Sequence, residues 1–320
     1  MKEKASQFAP ANIALIKYWG KRQSPLNLPV TSSLSVSLPL GTHTTLSLTS
    51  DKDMIFLNGN EQSPESSFAM RLSAFLDPFR PPNTYFRVDT KNEIPTSAGL
   101  ASSSSGFAAL VLALNDLFEW NLSQKELSIL ARQGSGSACR SIYKGFVEWH
   151  KGVQDDGKDS YAEPVPSQMQ DLCIGLWMVS DKEKPIDSRR AMIQTVETSP
   201  LYAAWPDTVA SDLAQMKKAL SENDFLLLGK VAEENALAMH ATMMAAKPAI
   251  LYWLPESVAA LHKIWSLRKE GLNLFFTMDA GPNLKLLFLK KDAATVKSLL
   301  PNLQLLDVVA KPQHPNLLPN

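Results

Sequence analysis

The chain has 320 residues, of which 45% are hydrophobic and 20% charged, so it is globular rather than disordered and has room for one large domain or two ordinary ones. Its 32 basic and 32 acidic residues cancel, which argues against binding to nucleic acid through a bulk basic surface. Two cysteines, Cys139 and Cys173, are too few for a disulfide framework and lack zinc-site spacing, so a reducing, cytoplasmic location is predicted.

Neither secretion nor membrane insertion is expected from the sequence. Residues 1–8 contain Lys2 and Lys4 but no apolar stretch of the kind that a signal peptide requires. No window approaches the ~18 unbroken apolar residues that a membrane-spanning helix needs. We therefore predict no membrane partner.

The first half of the chain is predicted to be rich in strands. Residues 31–38 read TSSLSVSL, in which Leu34, Val36 and Leu38 alternate with serines. This period of two predicts a half-buried strand. Further strands are predicted at 43–49, 54–57, 85–88, 145–150 and 171–179. Helices are predicted at 64–76, in the apolar segment that ends at 118, and at 125–133.

The second half is predicted to be more helical. Helices are predicted at 207–222, 224–246 and 292–300, and another begins at Pro255 and ends at Gly271, the usual positions of these two residue types. Strands are predicted at 272–278, 285–289 and 303–310. Strands and helices without strict alternation indicate an α+β fold. The loop at 180–185 is the predicted domain boundary, which divides the chain into residues 1–182 and 183–320.

One loop has the composition of a phosphate-binding site. Residues 95–106 read PTSAGLASSSSG and run directly into an apolar helix pattern. Glycine allows the backbone to approach a ligand closely, and the free N–H groups at a helix start attract an anion. Serine hydroxyls add donors, so the segment predicts a phosphate cradle without a Walker lysine. A flexible serine-rich turn is the alternative interpretation.

This loop and several other motifs resemble a known family. Pro95, Gly99, Leu100, Ser102 and Ser103 fill the Pro-x3-Gly-Leu-x-Ser-Ser pattern of the GHMP kinase superfamily. Six further segments, in order, resemble its diphosphomevalonate decarboxylase branch: 9–22 (APANIALIKYWGKR), 31–38, 134–141 (GSGSACRS), 145–149 (GFVEW), 235–240 (NALAMH) and 278–283 (MDAGPN). The resemblance runs from about residue 8 to residue 289. It implies an N-terminal domain like ribosomal protein S5 domain 2 and a C-terminal ferredoxin-like α/β sandwich.

The resemblance also implies an activity. Such enzymes use ATP to phosphorylate the tertiary C3 hydroxyl of mevalonate 5-diphosphate. The 3-phosphate then leaves as the carboxylate is lost as CO2, which gives isopentenyl diphosphate, ADP and phosphate in the mevalonate pathway of isoprenoid and lipid biosynthesis. ATP and Mg2+ are the implied cofactors. A homodimer without nucleic-acid partners is the implied assembly.

Three residues carry the implied chemistry. By resemblance, Asp279 is the catalytic aspartate, which would orient the C3 hydroxyl or take its proton. Arg140 would hold the substrate carboxylate by parallel hydrogen bonds, and Lys17 would offset charge on the transferred phosphoryl group. In isolation, Asp279 is more typical of an ordinary hairpin turn and Arg140 of a surface ion pair, and for Asp279 the flanking motif reverses that preference.

The remaining implied contacts divide between the two substrates. The substrate's diphosphate would be bound by Tyr18, Lys21, Ser135, Gly136, Ser137, Ser188 and Arg189. ATP would be bound by Pro95, Ser97, Ala98, Gly99, Leu100, Ser102, Ser103 and Ser104, with the Ser103 hydroxyl as the candidate Mg2+ ligand. If residues 12–18 form one strand, Lys17 and Tyr18 point to opposite sides, so a strand end or bend is needed for both to reach one site.

Departures from the family pattern leave alternatives open. The kinases of the superfamily often have Asp where this chain has Ala138, so a plain kinase would lack its usual carboxylate. Asp187 replaces a second serine beside Arg189, which puts the choice between mono- and diphosphorylated mevalonate in doubt. A mevalonate 3-kinase, a phosphomevalonate decarboxylase and a catalytically silent binding protein remain as alternatives.

Overall fold

Two β-sheets, one drawn mainly from each half of the chain, organise the structure. The computed structural model describes residues 1–22, 25–93, 102–182 and 184–306, apart from the side chain of Ser102. The strands of the first sheet are β1 (Lys4–Ile16), β2 (Ser33–Thr49), β3 (Met54–Leu57), β4 (Asn60–Glu61), β5 (Tyr85–Asn92), β6 (Phe146–Trp149) and β7 (Ala162–Pro164). Their order is β4-β3-β5-β2-β6-β7, with β1 also paired to β2. Only β3 and β5 run parallel among these pairs.

Helices cover this sheet and close its core. They are α1 (Ser67–Leu76), α2 (Ser102–Phe118) and α3 (Gln124–Gly134), and a 3-10 segment follows at Gly136–Ile142. The apolar side chains of α2 pack against those of β1, β2 and β5. Local capping explains where α3 begins, because Ser123 and Glu126 form a reciprocal capping box.

The predicted half-buried strand is wrong in two respects. The segments 31–38 and 43–49 belong to one long strand, β2, rather than two. Its serine face is also buried, because Ser33, Ser35 and Ser37 are all 0% exposed. The reason is tertiary: Ser37 Oγ accepts a hydrogen bond from the Gly145 N–H at 2.7 Å, and Ser33 Oγ from Arg140. The serine face in the first part of β2 therefore lines the interior of the molecule.

The second sheet has four antiparallel strands in the order β11-β8-β10-β9. They are β8 (Leu172–Trp177), β9 (Phe275–Met278), β10 (Leu284–Leu289) and β11 (Gln304–Leu305). The accompanying helices are α4 (Ser188–Thr198), α5 (Trp205–Glu222), α6 (Phe225–Met244), α7 (Pro255–Lys269) and α8 (Ala293–Leu299). None of the described helices is long and apolar enough to span a lipid bilayer.

The second sheet is covered on both faces. Phe276, Leu286 and Phe288 pack with α7, whereas Phe275 and Leu287 face the core shared with α5 and α6. The same shared core takes in apolar side chains of β1 and β2, so the two halves of the chain are packed together. Burial of these apolar side chains is the main contribution to the stability of the contact between the two halves.

Several predicted boundaries shift once the structure is known. The strand predicted at 272–278 begins at Phe275, and that predicted at 303–310 spans Gln304–Leu305, with 307–310 outside the described residues. Helix α4 was not predicted. Strand β8 precedes the predicted domain boundary at 182/183 yet pairs within the second sheet, and the division of the chain at that point stays a prediction.

A tight backbone junction at Trp19 and Gly20 joins the two halves. The Trp19 carbonyl accepts hydrogen bonds from Tyr202 Oη and Trp205 Nε1, each at 3.0 Å. Gly20 has φ +101°, and a Cβ built on it would lie 1.8 Å from Tyr202 Oη. Only glycine therefore suits this position, both for its backbone conformation and for its space.

Replacing Gly20 by Ala is expected to destabilise the fold more than replacing Gly271, which has φ +98° but open space around its Cβ position among the described residues. Both substitutions lose ~1–2 kcal/mol through backbone strain. Gly20→Ala adds a steric cost of ~1–3 kcal/mol because Tyr202 must move. Urea unfolding of both variants checks this, and equal losses of free energy would contradict the proposed contact.

Candidate active site

A cavity of about 450 Å³ opens where the first sheet meets the helices of the second half. It brings together most of the residues predicted from the sequence. Those that line it are Lys17, Tyr18, Lys21, Ser103, Ser135, Gly136, Ser137, Arg140, Ser188, Arg189 and Asp279. They come from segments up to 262 positions apart in the chain, as the Lys17–Asp279 contact shows. Their chemical roles remain predictions.

Lys17 and Tyr18 both reach the cavity because β1 ends before them, at Ile16. The alternation of a strand therefore does not apply to this pair, which removes the conflict noted above. Side chains from two helices hold the backbone at this point. The Lys17 N–H donates to Asn235 Oδ1 at 2.7 Å, and Asn235 Nδ2 donates to Asp212 Oδ2 at 2.8 Å.

Asp279 lies between two buried lysines. It follows β9 in the turn to β10, and the predicted β9–β10 hairpin is confirmed. Lys17 Nζ is 2.8 Å from Asp279 Oδ1, and Lys285 Nζ is 2.9 Å from Asp279 Oδ2. Both lysine side chains are 2% exposed, whereas the Asp279 side chain is 32% exposed. The two buried lysines thus fix the carboxylate, whose exposed part remains accessible to a ligand.

The charges in this cluster shift the pKa values of its members. Burial of Asp279 favours its neutral form, but the charges and hydrogen bonds of Lys17 and Lys285 outweigh burial and lower its pKa well below 3.8. Burial lowers the pKa of Lys17 to about 8, although Asp279 opposes this shift. At pH 7 the arrangement is therefore one carboxylate facing ammonium groups.

His240 supports the backbone of the same turn. Its Nε2 lies 3.1 Å from the carbonyl oxygen of Asp279, to which it donates, and its ring packs against Trp253. Burial, together with the charge of Lys17, lowers the pKa of His240 to about 3. The ring is neutral at pH 7, which is the form that suits a buried donor to a carbonyl.

Arg140 is a buried cation without a carboxylate contact among the described residues. Its Nη1 donates to Ser33 Oγ at 2.5 Å and its Nη2 to Asn12 Oδ1 at 3.3 Å, whereas Nε has no partner in the described part of the chain. Burial lowers the pKa of Arg140. A guanidinium that is 2% exposed and incompletely bonded is suited to receive a carboxylate ligand.

A second group of cations lies elsewhere in the cavity. It consists of Lys21, Arg71 and Arg189. Burial, and then the charges of Arg189 and Arg71, lower the pKa of Lys21 to about 8. Burial and the charge of Arg189 lower the pKa of Arg71 to about 10. Because these cations repel one another, a polyanionic ligand would stabilise all of them at once.

Three hydroxyl groups also line the cavity, those of Tyr18, Ser103 and Ser135. Tyr18 Oη is buried without a hydrogen-bond partner among the described residues, and its ring packs edge-on against Trp149. Ser103, at the start of α2, has its Oγ 3.4 Å from the Oγ of Ser135, which follows α3. All three are placed where a ligand's oxygen atoms could accept or donate hydrogen bonds.

Asp187 has a role that the sequence did not reveal. It caps α4, because its Oδ1 accepts hydrogen bonds from the N–H groups of Arg189 and Arg190 at 3.0 and 3.1 Å. An aspartate is among the preferred residues at this position. The carboxylate that replaces the usual serine therefore orders the helix start that carries Ser188 and Arg189 into the cavity.

Only some of the residues predicted to bind ATP lie within the described part of the chain. Pro95, Ser97, Ala98, Gly99 and Leu100 lie outside the described residues, as does the side chain of Ser102. Ser103 lines the cavity, whereas Ser104 is 1% exposed and is not among the lining residues. Within the described ranges no group of three or more His, Cys, Asp and Glu side chains could hold a metal ion. The Ser103 hydroxyl as a Mg2+ ligand stays a prediction.

The polar residues of the cavity or of the Asp279 cluster that were not predicted include Asn12, Arg71, Lys184 and Lys285. Lys285 left a signal, since it interrupts the apolar strand LKLLFL, and a buried lysine is rarely found without a charged partner. The sequence contains no comparable signal for Arg71, because an arginine on an amphipathic surface helix is ordinary.

The fold and the cavity define the class of protein. The structure has the features of the two-domain GHMP kinase fold: a strand-rich first half, a four-stranded sheet covered by helices, and a cavity shared by Asp279 and Arg140. Two family profiles match the chain: the diphosphomevalonate decarboxylase-like N-terminal domain over residues 9–162 and the mevalonate 5-diphosphate decarboxylase C-terminal domain over residues 174–311. The chain belongs to the diphosphomevalonate decarboxylase family.

Individual relatives agree with this assignment. The diphosphomevalonate decarboxylase of Aspergillus fumigatus is 38% identical over 327 residues, covering 93% of this chain and 80% of that protein. The mevalonate diphosphate decarboxylase structure from Staphylococcus aureus is 38% identical, with a TM-score of 0.91 and coverage of 98% and 97%. A structure described as MDDEF in complex with MVAPP, AMPPCP and magnesium is 40% identical, with a TM-score of 0.89 and 97% coverage of both chains. The predicted family, fold and enzyme class are thereby confirmed.

Proposed function

We propose that this chain catalyses the ATP-dependent decarboxylation of mevalonate 5-diphosphate to isopentenyl diphosphate, with release of ADP, phosphate and CO2. Family membership supports the reaction, and one observation in this chain carries it. Two groups line the same cavity: an accessible carboxylate, Asp279, and a buried guanidinium, Arg140, which has no carboxylate contact among the described residues. The reaction needs both groups, because the carboxylate would act on the substrate hydroxyl and the guanidinium would bind the substrate carboxylate.

The first step would be phosphoryl transfer to the C3 hydroxyl. The C3 oxygen forms a bond to the γ-phosphorus of ATP as the bond to ADP breaks, and the hydroxyl proton must leave the oxygen. Asp279 is placed to orient that hydroxyl and accept its proton, because its carboxylate opens to the cavity. Lys17 would stabilise the negative charge on the transferring group. Because Asp279 would serve as the base, the step would not need a carboxylate at the position of Ala138.

The second step would be loss of CO2 and phosphate. The C3–O bond breaks with its electron pair on the departing phosphate. The electrons of the C1–C2 bond form the C2–C3 double bond, and the carboxylate carbon leaves as CO2. Arg140 would hold the carboxylate so that the breaking C–C bond is aligned with the departing phosphate. Its contacts with Ser33 and Asn12 fix the guanidinium plane.

The second cation group would bind the diphosphate of the substrate. Lys21, Arg71 and Arg189 offer donors to a ligand with several negative charges, and Tyr18 and Ser135 add hydroxyl groups nearby. The mutual repulsion of the cations favours a diphosphate over a monophosphate. Mg2+, when bound with ATP, would neutralise the charge that develops on the phosphates.

A panel of three substrates tests the proposed function. The protein is incubated with ATP, Mg2+ and either mevalonate, mevalonate 5-phosphate or mevalonate 5-diphosphate, and both CO2 and ADP are measured. We expect equal amounts of CO2 and ADP from the diphosphate and neither product from the other two. ADP without CO2 from mevalonate would instead identify a 3-kinase, and CO2 from the monophosphate a phosphomevalonate decarboxylase.

We further infer a homodimer that works in the cytoplasm, within isoprenoid and lipid biosynthesis. The inference rests on the family and on the reaction. Light scattering after size-exclusion chromatography checks the assembly, and we expect twice the mass of one chain. The mass of a single chain would remove the dimer from the proposal without affecting the reaction.

A further inference from the structure

The cluster around Asp279 contains a lysine that the proposed reaction does not yet use. Lys285 lies on β10, opposite Thr277 of β9, in the middle of the four-stranded sheet. Its side chain is 2% exposed, and its ammonium group is 2.9 Å from Asp279 Oδ2. Taking such a charge out of water costs free energy. The contact with the Asp279 carboxylate offsets part of that cost.

The two lysines that contact Asp279 differ in what else they can reach. Lys17 lines the cavity, and its Nζ also donates to the Ala14 carbonyl oxygen at 2.8 Å. Lys285 contacts the other carboxylate oxygen and is not among the described residues that line the cavity. A phosphoryl group that enters the cavity can therefore meet Lys17 but not Lys285.

We propose that Lys285 is a positioning residue, which keeps the Asp279 carboxylate ionised and oriented through Oδ2 while Oδ1 is available to the substrate hydroxyl. Lys17 contacts Oδ1 and also lines the cavity, so it is the lysine that can exchange this contact for one with the phosphoryl group. The carboxylate then still has one ammonium partner during the reaction. This role rests on the proposed function, because it concerns the same catalytic step.

The charged groups that face this carboxylate within the described part of the chain all bear on the prediction. Lys17 approaches from the end of β1, Lys285 from β10 and His240 from α6, where it is neutral. Lys184 and Arg140 act at longer range, from the loop before α4 and from the 3-10 segment. The charge of Lys285 is one of the influences that lower the pKa of Lys17 to about 8, after burial. Removing that charge should therefore raise the pKa of Lys17.

The test compares Lys285→Met with Lys285→Arg. The Met variant keeps the length and apolar stem of the side chain but loses the charge, and Arg restores the charge. We expect Lys285→Met to lower kcat by ~100-fold, the cost of a carboxylate misplaced by about 1 Å, with smaller changes in KM for either substrate. Lys285→Arg should recover most of kcat. Lys291→Met, an exposed lysine shortly after β10, is the matched control and should behave as wild type.

A pH profile separates positioning from a merely structural effect. We measure kcat/KM for ATP at saturating mevalonate 5-diphosphate, since a bound diphosphate keeps Lys21 charged. In the wild type, activity should fall as pH rises through about 8, where Lys17 loses its proton. This basic limb should move to higher pH in Lys285→Met and return in Lys285→Arg.

The outcomes are distinct. An unchanged kcat in Lys285→Met, or a lower kcat with an unmoved basic limb, would overturn the positioning role. If the Met variant does not fold, as judged by circular dichroism, Lys285→Gln is measured in the same way, because an amide keeps a donor without the charge. Failure of the wild type to release CO2 would overturn the proposed function instead, so the two failures cannot be confused.

Discussion

Replacing Asp279 by Asn is expected to lower kcat for CO2 and ADP release by ~10^2–10^4-fold, the usual contribution of a positioned acid–base group. An amide cannot accept the hydroxyl proton, and the substitution also leaves Lys17 and Lys285 buried without their shared carboxylate. Steady-state kinetics with mevalonate 5-diphosphate provides kcat. Nucleotide affinity, measured by calorimetry, should change little, because the predicted phosphate cradle lies in the other half of the chain.

The matched control for this substitution is Asp155→Asn. Asp155 is exposed in the loop before β7 and does not line the cavity. We expect its kcat to equal that of the wild type. A fully active Asp279→Asn variant would remove Asp279 from the mechanism, whereas equal losses in both variants would indicate a general defect of the preparation.

Replacing Arg140 by Lys is expected to lower kcat/KM for mevalonate 5-diphosphate by ~100-fold or more. The charge remains, but lysine cannot form the two parallel hydrogen bonds that a guanidinium makes with a carboxylate. It would also lose the paired contacts with Ser33 and Asn12 that fix the side chain. Kinetics over a range of substrate concentrations separates the loss of binding from the loss of turnover.

Arg132 offers a control that is matched in burial and charge. It is 0% exposed, donates to the backbone carbonyls of Leu26, Gly157 and Ser160, and does not line the cavity. Arg132→Lys should reduce the free energy of unfolding and leave kcat/KM nearly unchanged. If both arginine variants lost kcat/KM equally, the effect of Arg140 would come from the fold and not from the substrate.

Elements with strong local signals were predicted well. Helix α6 was expected at 224–246 and spans Phe225–Met244, since Asp224 caps it through the Leu227 N–H. Elements without such signals were missed or misjudged. The last part of β1 is buried on both faces, so its sequence lacks the alternation that indicates a strand. Helix α4 depends on the cap at Asp187, which the sequence presented only as a departure from a motif.

Most polar cavity residues within recognisable motifs were predicted, with Asn12 as an exception, whereas those outside the motifs were not. Asp279, Arg140 and Lys17 were named from their motifs, and the structure places all three around one cavity. Arg71 and Lys285 belong to an ordinary helix and an ordinary strand, so only their position in space relates them to the site. Pro95 and the neighbouring cradle residues outside the described ranges stay predictions.

The sequence by itself determined the family, the reaction class and the periodic elements, because each of these depends on residues that are close together in the chain. The tertiary structure alone decided that one carboxylate contacts two lysines, Lys17 on one side and Lys285 on the other. It also decided that the serines of β2 are buried and that one of them, Ser33, accepts a hydrogen bond from Arg140. The physical reason is that burial and charge pairing depend on which surfaces meet after folding, and a local pattern of side chains does not contain that information.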